Sequence, residues 1–166
     1  MRLSDLVAQH RAAASTYHDH KEKTAYAVAT LYIAGMSVWL LNDQWWSTPM
    51  HSRQTLVIAA IVAVVATGLA LAFVGWQFRN RLLAATLESA CINVAARIVA
   101  SQVEDVEHAQ HRPWEGHLLP EQIVAEMETT GPEQRRRVRT SETVTYGAIL
   151  FWGILIVGRL ITAASL

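Results

Sequence analysis

The chain has 166 residues, 52% of them hydrophobic, with 14 basic and 14 acidic side chains for a formal net charge of zero. A zero balance excludes global attraction to nucleic acid, and a single cysteine, Cys91, excludes an internal disulfide framework. The charges are clustered, and this leaves three long apolar runs, Thr24–Leu41, Leu56–Phe78 and Val144–Leu166. Each is about long enough to cross a hydrocarbon core of about 30 Å.

Residues 1–23 are polar, carry both signs of charge and lack the short apolar core of a cleavable signal. Leu3, Leu6, Val7 and Ala14 give this stretch a weak apolar face, so an amphipathic helix is expected. His10, His18 and His20 fall here, where titration near neutral pH has something to act on. The first span, 24–41, follows as a signal anchor. A loop, 42–54, holds Trp45 and Trp46, which suit an interfacial belt, as do Trp39 and Trp76 near span ends.

The second span, 55–78, meets no strong helix breaker before Gln110, so one long helix is predicted to run on beyond it. Leu83, Leu87, Ala90, Val94, Ile98 and Ser101 share one face of that extension, which reads as a packing stripe. Leu83, Leu87, Val94 and Ile98 are the candidates for an oligomer face. Cys91 lies among apolar neighbours and reads as a small buried hydrophobe. Glu104, His108 and His111 would share a helical face at i, i+4, i+7, a spacing that offers ligands to a transition metal. Recruiting further acids for a carboxylate-bridged site would need Glu121, Glu126 or Glu128.

Pro113, Gly116 and Pro120 should end the long helix. A short helix, Pro120–Thr130, is then expected to stop at Gly131, with a new one beginning at Pro132. Arg135, Arg136, Arg137 and Arg139 precede the third span, 143–166, and should attract anionic lipid or another anionic ligand. Thr143–Gly147 is similar to a potassium-filter loop, but Thr145 stands where that backbone needs glycine. Arg159 is the only charge within a span. It is expected to snorkel outward, to line a pore, or to pair with Asp43.

The basic residues set the expected orientation. Arg2, Arg11, Lys21 and Lys23 precede the first span, Arg53 alone lies in the first loop, and eight arginines lie between spans two and three. The positive-inside rule puts the N-terminus and residues 79–142 in the cytoplasm and the C-terminus outside, as in a bacterial inner membrane. The expected class is an all-α membrane protein with three transmembrane helices, a helical cytoplasmic segment between the second and third, and the second helix extended into the cytoplasm.

The plan of N-terminal helix, membrane hairpin and long following helix, over about Met1–Gln110, resembles the SLATT-type membrane effectors of bacterial defence systems. The third span is not part of that plan. No Walker loop, nucleophile elbow or zinc-protease helix occurs, so no enzyme is expected. No span holds a histidine for haem, and no cofactor is expected. Small residues stripe span one (Ala27, Thr30, Ala34, Ser37) and span two (Ala59, Ala63, Ala66, Ala70), which suits close helix approach in lipid. The leading expectation is a homo-oligomeric channel or pore in contact with anionic lipid, with Thr30, Ser37, Arg159 and Thr162 as lining candidates. The alternative is a non-catalytic scaffold or accessory subunit docking a soluble cytoplasmic or membrane partner.

Overall fold

The computed structural model describes residues 1–42, 53–107, 109–114 and 117–165. These form three long helices and one hairpin: α1 Leu3–Leu41, α2 Arg53–Val99, β1 His111–Trp114, β2 His117–Pro120 and α3 Glu121–Ser165. Each helix holds a stretch long and apolar enough to cross a membrane. The expectations resting on Asp43, Trp45, Trp46, His108, Gly116 and Leu166 lie outside the described residues. The chain divides into two compact units, Met1–Glu22 with Phe78–Thr140, and Lys23–Gln77 with Ser141–Leu166.

The first unit has a continuous apolar core. Leu3 and Val7 of α1, Ala90, Cys91 and Val94 of α2, Leu119 of β2, and Ile123, Val124 and Met127 of α3 are all buried in it. The stripe on α2 is therefore filled by this chain's own α1, hairpin and α3, with Leu87 and Ile98 partly buried against the same core. Burial pushes the Cys91 thiol up to about 11, so it stays protonated and inert at neutral pH.

The segment between α2 and α3 departs from the helical expectation. α2 stops at Val99 instead of running to Gln110. The stop is a Schellman-type end: Ser101 N–H donates to Ile98 O (3.0 Å) and Gln102 N–H to Arg97 O (2.9 Å). Its left-handed position is Ser101, with φ 55°, where glycine or asparagine is the usual sign. Residues 100–107 and 109–110 are irregular, and β1 and β2 pair antiparallel with His111 opposite Pro120 and Arg112 opposite Leu119. The irregular stretch caps the start of α1. Asp105 accepts the Ser4 N–H (2.8 Å) and Ser4 hydroxyl (3.0 Å), and Val106 O accepts the Leu3 N–H (3.1 Å).

The break expected at Gly131 and Pro132 is absent, because α3 runs through both. Pro132 removes one backbone donor. Anchors on either side hold the helix in line against α2: Asn93 Nδ2 donates to Glu126 (2.8 Å) and Gln134 Nε2 to Ser89 Oγ (2.8 Å). Thr143–Gly147 is continuous helix, with Thr145 Oγ1 donating to Ser141 O (2.8 Å), so it does not form the extended backbone of a filter loop.

The second unit packs parts of all three helices. Met36 of α1, Leu56 and Ala63 of α2, and Ile156 and Leu160 of α3 are buried together, with Trp39, Ala59, Ala66 and Trp152 packed around them. Two glycines permit the close approaches. The Tyr146 hydroxyl occupies the place where a side chain at Gly75 would stand, and Gly153 lies against Thr67 and Tyr32.

Candidate functional site

In the second unit several hydroxyls of the helices are turned back onto backbone. Ser37 Oγ donates to Ile33 O (2.7 Å) and Thr162 Oγ1 to Gly158 O (2.9 Å). Ser37 is half-buried, while Thr30 and Thr162 are exposed on the outside of the bundle. Thr67 Oγ1 donates to Ala63 O (2.7 Å). Its one proton is thus committed, so the Tyr32 hydroxyl, 2.6 Å away, must be the donor of the bond joining α1 to α2.

Arg159 meets the end of α1. Its Nη1 donates to Leu40 O (2.8 Å), one residue before α1 ends at Leu41. The last carbonyls of a helix lack intrahelical donors and carry the negative end of its dipole. The guanidinium answers both, while its exposed side chain keeps access to the surroundings. Asp43, the partner expected from sequence, lies outside the described residues.

The small-residue stripes have different fates. Ala59, Ala63, Ala66 and Ala70 of α2 are buried or half-buried, and the first three pack in the bundle core. Ala27, Thr30 and Ala34 of α1 are exposed, as is Gly35, where an added Cβ would meet nothing within 4 Å.

In the first unit, Arg135, Arg136, Arg137 and Arg139 are all exposed on α3, while Val138 among them is buried. Arg137 pairs with Glu133 one turn earlier. Arg135, Arg136 and Arg139 fall on a sector about 100° wide at helical spacing, so the three guanidinium groups make one basic face.

The metal-like spacing at 104–111 is not realised, because α2 has already ended. Glu104 is in irregular chain, His111 is on β1, and His108 lies outside the described residues. Among the described residues, no group of three or more His, Cys, Asp or Glu side chains is arranged to hold a metal ion. Glu126 is instead buried and paired, at 3.1 Å from Arg97 and 2.8 Å from Asn93. Glu128 pairs with Arg112 (3.3 Å).

Two features escaped the sequence reading. One is an open cavity of about 460 Å³ in the first unit, lined by His10, Tyr17, Leu83, Leu87, Trp114 and Met127 among others. Burial, and then the charge of His111, push the His10 imidazole below its ordinary range. Leu83, read from sequence as part of an oligomer face, lines this cavity. The other is an ionic cluster of His18, Glu22, Arg81 and Glu88. Its members come from α1 and α2 and are 59 or more positions apart across the two helices, as in Glu22 to Arg81, so only the fold brings them together. The histidine at 18 was the one visible signal.

No family model, no curated protein and no solved structure matches this chain.

Proposed function

We propose that the chain is one subunit of a homo-oligomeric membrane channel or pore, with residues 1–23 and 79–142 in the cytoplasm. The observation that carries this reading is the uneven use of the two small-residue faces. The face on α2 is buried within the chain, whereas the face on α1 made by Ala27, Thr30, Ala34 and Gly35 is exposed. In lipid no hydrophobic drive brings helices together, and small residues favour contact by letting backbones approach closely. Such a face suits a helix of a neighbouring copy.

The middle of the three-helix bundle is filled by Ala63, Ile156 and Leu160, so the path for an ion or solute runs between copies. Thr30, Ser37, Arg159 and Thr162 are its lining candidates. The orientation rests on the excess of arginine and lysine before span one and between spans two and three. Residues 1–22 and 78–140 also build one core, which supports their lying on the same side of the bilayer. A bacterial inner membrane fits this charge asymmetry. The basic face of Arg135, Arg136 and Arg139 meets anionic lipid there, with roughly 1 kcal/mol of attraction per residue near the surface.

Ion flux through vesicles holding the purified protein tests the reading. Wild type should conduct. Ala34→Phe, which puts a bulky ring on an exposed position, should abolish flux and reduce oligomer size while circular dichroism stays unchanged. Flux absent from wild type in every ionic condition, or undiminished in Ala34→Phe, would count against it. Absent flux would turn attention to the scaffold alternative and to soluble partners of the first unit.

A further inference from the structure

His18 is half-buried on α1 among three charged groups of the first unit. Glu22 lies one turn along its own helix, with an oxygen 3.7 Å from His18 Nε2. Glu88, on α2, approaches the other ring nitrogen, Nδ1, at 3.5 Å. Arg81, also on α2, places its Nε 3.1 Å from His18 Nε2 and its Nη2 3.0 Å from Glu22. Lys21, next along α1, is turned onto the Tyr17 ring, 4.8 Å from its centroid.

The Arg81 bond fixes the state of the imidazole. A guanidinium keeps its protons at every working pH and has no acceptor to offer. Arg81 Nε–H is therefore the donor, and His18 Nε2 must carry a lone pair. The ring is then neutral, with its proton on Nδ1, facing Glu88. Adding a second proton turns Nε2 into a donor aimed at another donor and sets two cations side by side. The Arg81–His18 bond cannot survive that change. Acceptors for both N–H groups of the imidazolium are already in place, Glu22 at Nε2 and Glu88 at Nδ1. The group of one arginine and two glutamates has a net charge of −1 with His18 neutral and 0 with it protonated.

We propose that His18 is a proton-operated latch between α1 and α2. Neutral, it ties α1 to α2 by accepting from Arg81. Protonated, it lets Arg81 go and pairs with Glu22 and Glu88, so its tie to α2 passes from position 81 to position 88. Arg81 retains Glu22 as a partner and has the Phe78 ring 6.0 Å away as a second surface.

The location gives the latch its consequence. Glu22 lies two residues before the apolar run that starts at Thr24, and Arg81 lies three residues after Phe78, where the second run ends. α1 and α2 are each continuous through these points. A change in how they are tied here is a change at the root of two spanning helices. Whether the change gates a pore depends on the channel reading; the latch itself does not.

The test therefore reads structure and not conductance. The full chain is labelled with ¹⁵N-histidine in nanodiscs, and the tautomer of His18 is measured at about pH 8, above histidine's ordinary titration range. The expected form has Nδ1 protonated and Nε2 bare; a proton on Nε2 would overturn the proposal. In a Cys91→Ala background, spin labels at Asp19→Cys and Arg79→Cys, diluted with unlabelled protein, report the α1–α2 distance. A shift in that distance between about pH 8 and about pH 5.5 is expected, and it should vanish in both His18→Gln and Arg81→Gln. A distance that does not change with pH, or one that changes equally in the folded variants, refutes the latch. Should both variants misfold, the tautomer and the wild-type distance shift still decide.

Discussion

Replacing Gly153 with alanine should loosen the three-helix bundle by an amount that the geometry sets. A Cβ at 153 would stand 2.8 Å from Thr67 Oγ1, 2.9 Å from Thr67 Cγ2 and 3.2 Å from the Tyr32 hydroxyl. Two of these are closer than atoms tolerate, and Thr67 is held by its bonds to Ala63 and Tyr32. Forcing an extra carbon into a packed site costs about 1–3 kcal/mol. Losing the Tyr32–Thr67 bond between helices in lipid adds about 0.6 kcal/mol. The sum is roughly 1.6–3.6 kcal/mol. Thr67→Ala removes both close atoms, so the alanine at 153 should cost much less in that background. A double-mutant cycle read by reversible unfolding in mixed micelles should show a coupling of at least about 1 kcal/mol. A Gly153→Ala cost below about 0.5 kcal/mol, or costs that simply add, would refute the close approach of α2 and α3.

Val94→Asp should unfold the first unit, at about 3–5 kcal/mol, because it leaves a carboxylate unpaired in the shared core; limited proteolysis of residues 78–140 reads this directly. Ser101→Gly should stabilise the same unit, by up to about 1 kcal/mol, by relieving the left-handed backbone at the end of α2; a rise in thermal midpoint is the measurement. Acid should weaken this unit by two routes. The Ser4 N–H holds the Asp105 carboxyl below its ordinary value of 3.8; burial opposes this, and the Ser4 hydroxyl and Arg2 add smaller pulls in the same direction as the N–H. A depressed acid contributes stability above its unfolded value that is lost as pH falls through the folded one. His10, depressed below 6.5, resists protonation in the folded state, so acidification below that value favours unfolding. Asp105→Asn should flatten the pH dependence below about pH 4, and His10→Gln the part near about pH 6. Replacing Arg135, Arg136 and Arg139 by glutamine should lower affinity for anionic over neutral vesicles by roughly 3 kcal/mol at low salt, with little loss in neutral lipid.

The three spans were legible because their signal is cumulative: about 20 apolar residues in a row outweigh any local ambiguity. The buried stripe on α2 was also legible, since Leu87, Val94 and Ile98 recur at helical spacing, although a single sequence does not say which surface covers it. Leu3, Ile123 and Met127 cover it, from segments about 90 positions before and 30 after. The end of α2 was hidden because Ser101 adopts a conformation that sequence rules reserve for glycine. The hairpin was hidden because Pro113 and Pro120 read as breakers, while its pairing depends on Arg112 meeting Leu119. Pro132 misled in the opposite sense. It reads as a helix start, yet anchoring of Glu126 and Gln134 to α2 carries one helix through it. Of the candidate sites, the arginine face was visible as a charge run. The His18 cluster required knowledge of how α1 lies along α2.

The most direct test of the channel reading is the mass of the intact assembly in nanodiscs, measured by native mass spectrometry under conditions that keep lipid bound. A closed ring of four or more copies, shifting to smaller species in Ala34→Phe, is the predicted result. A monomer or dimer at every protein concentration would contradict it, because two three-helix bundles with filled cores leave no wall for an aqueous path.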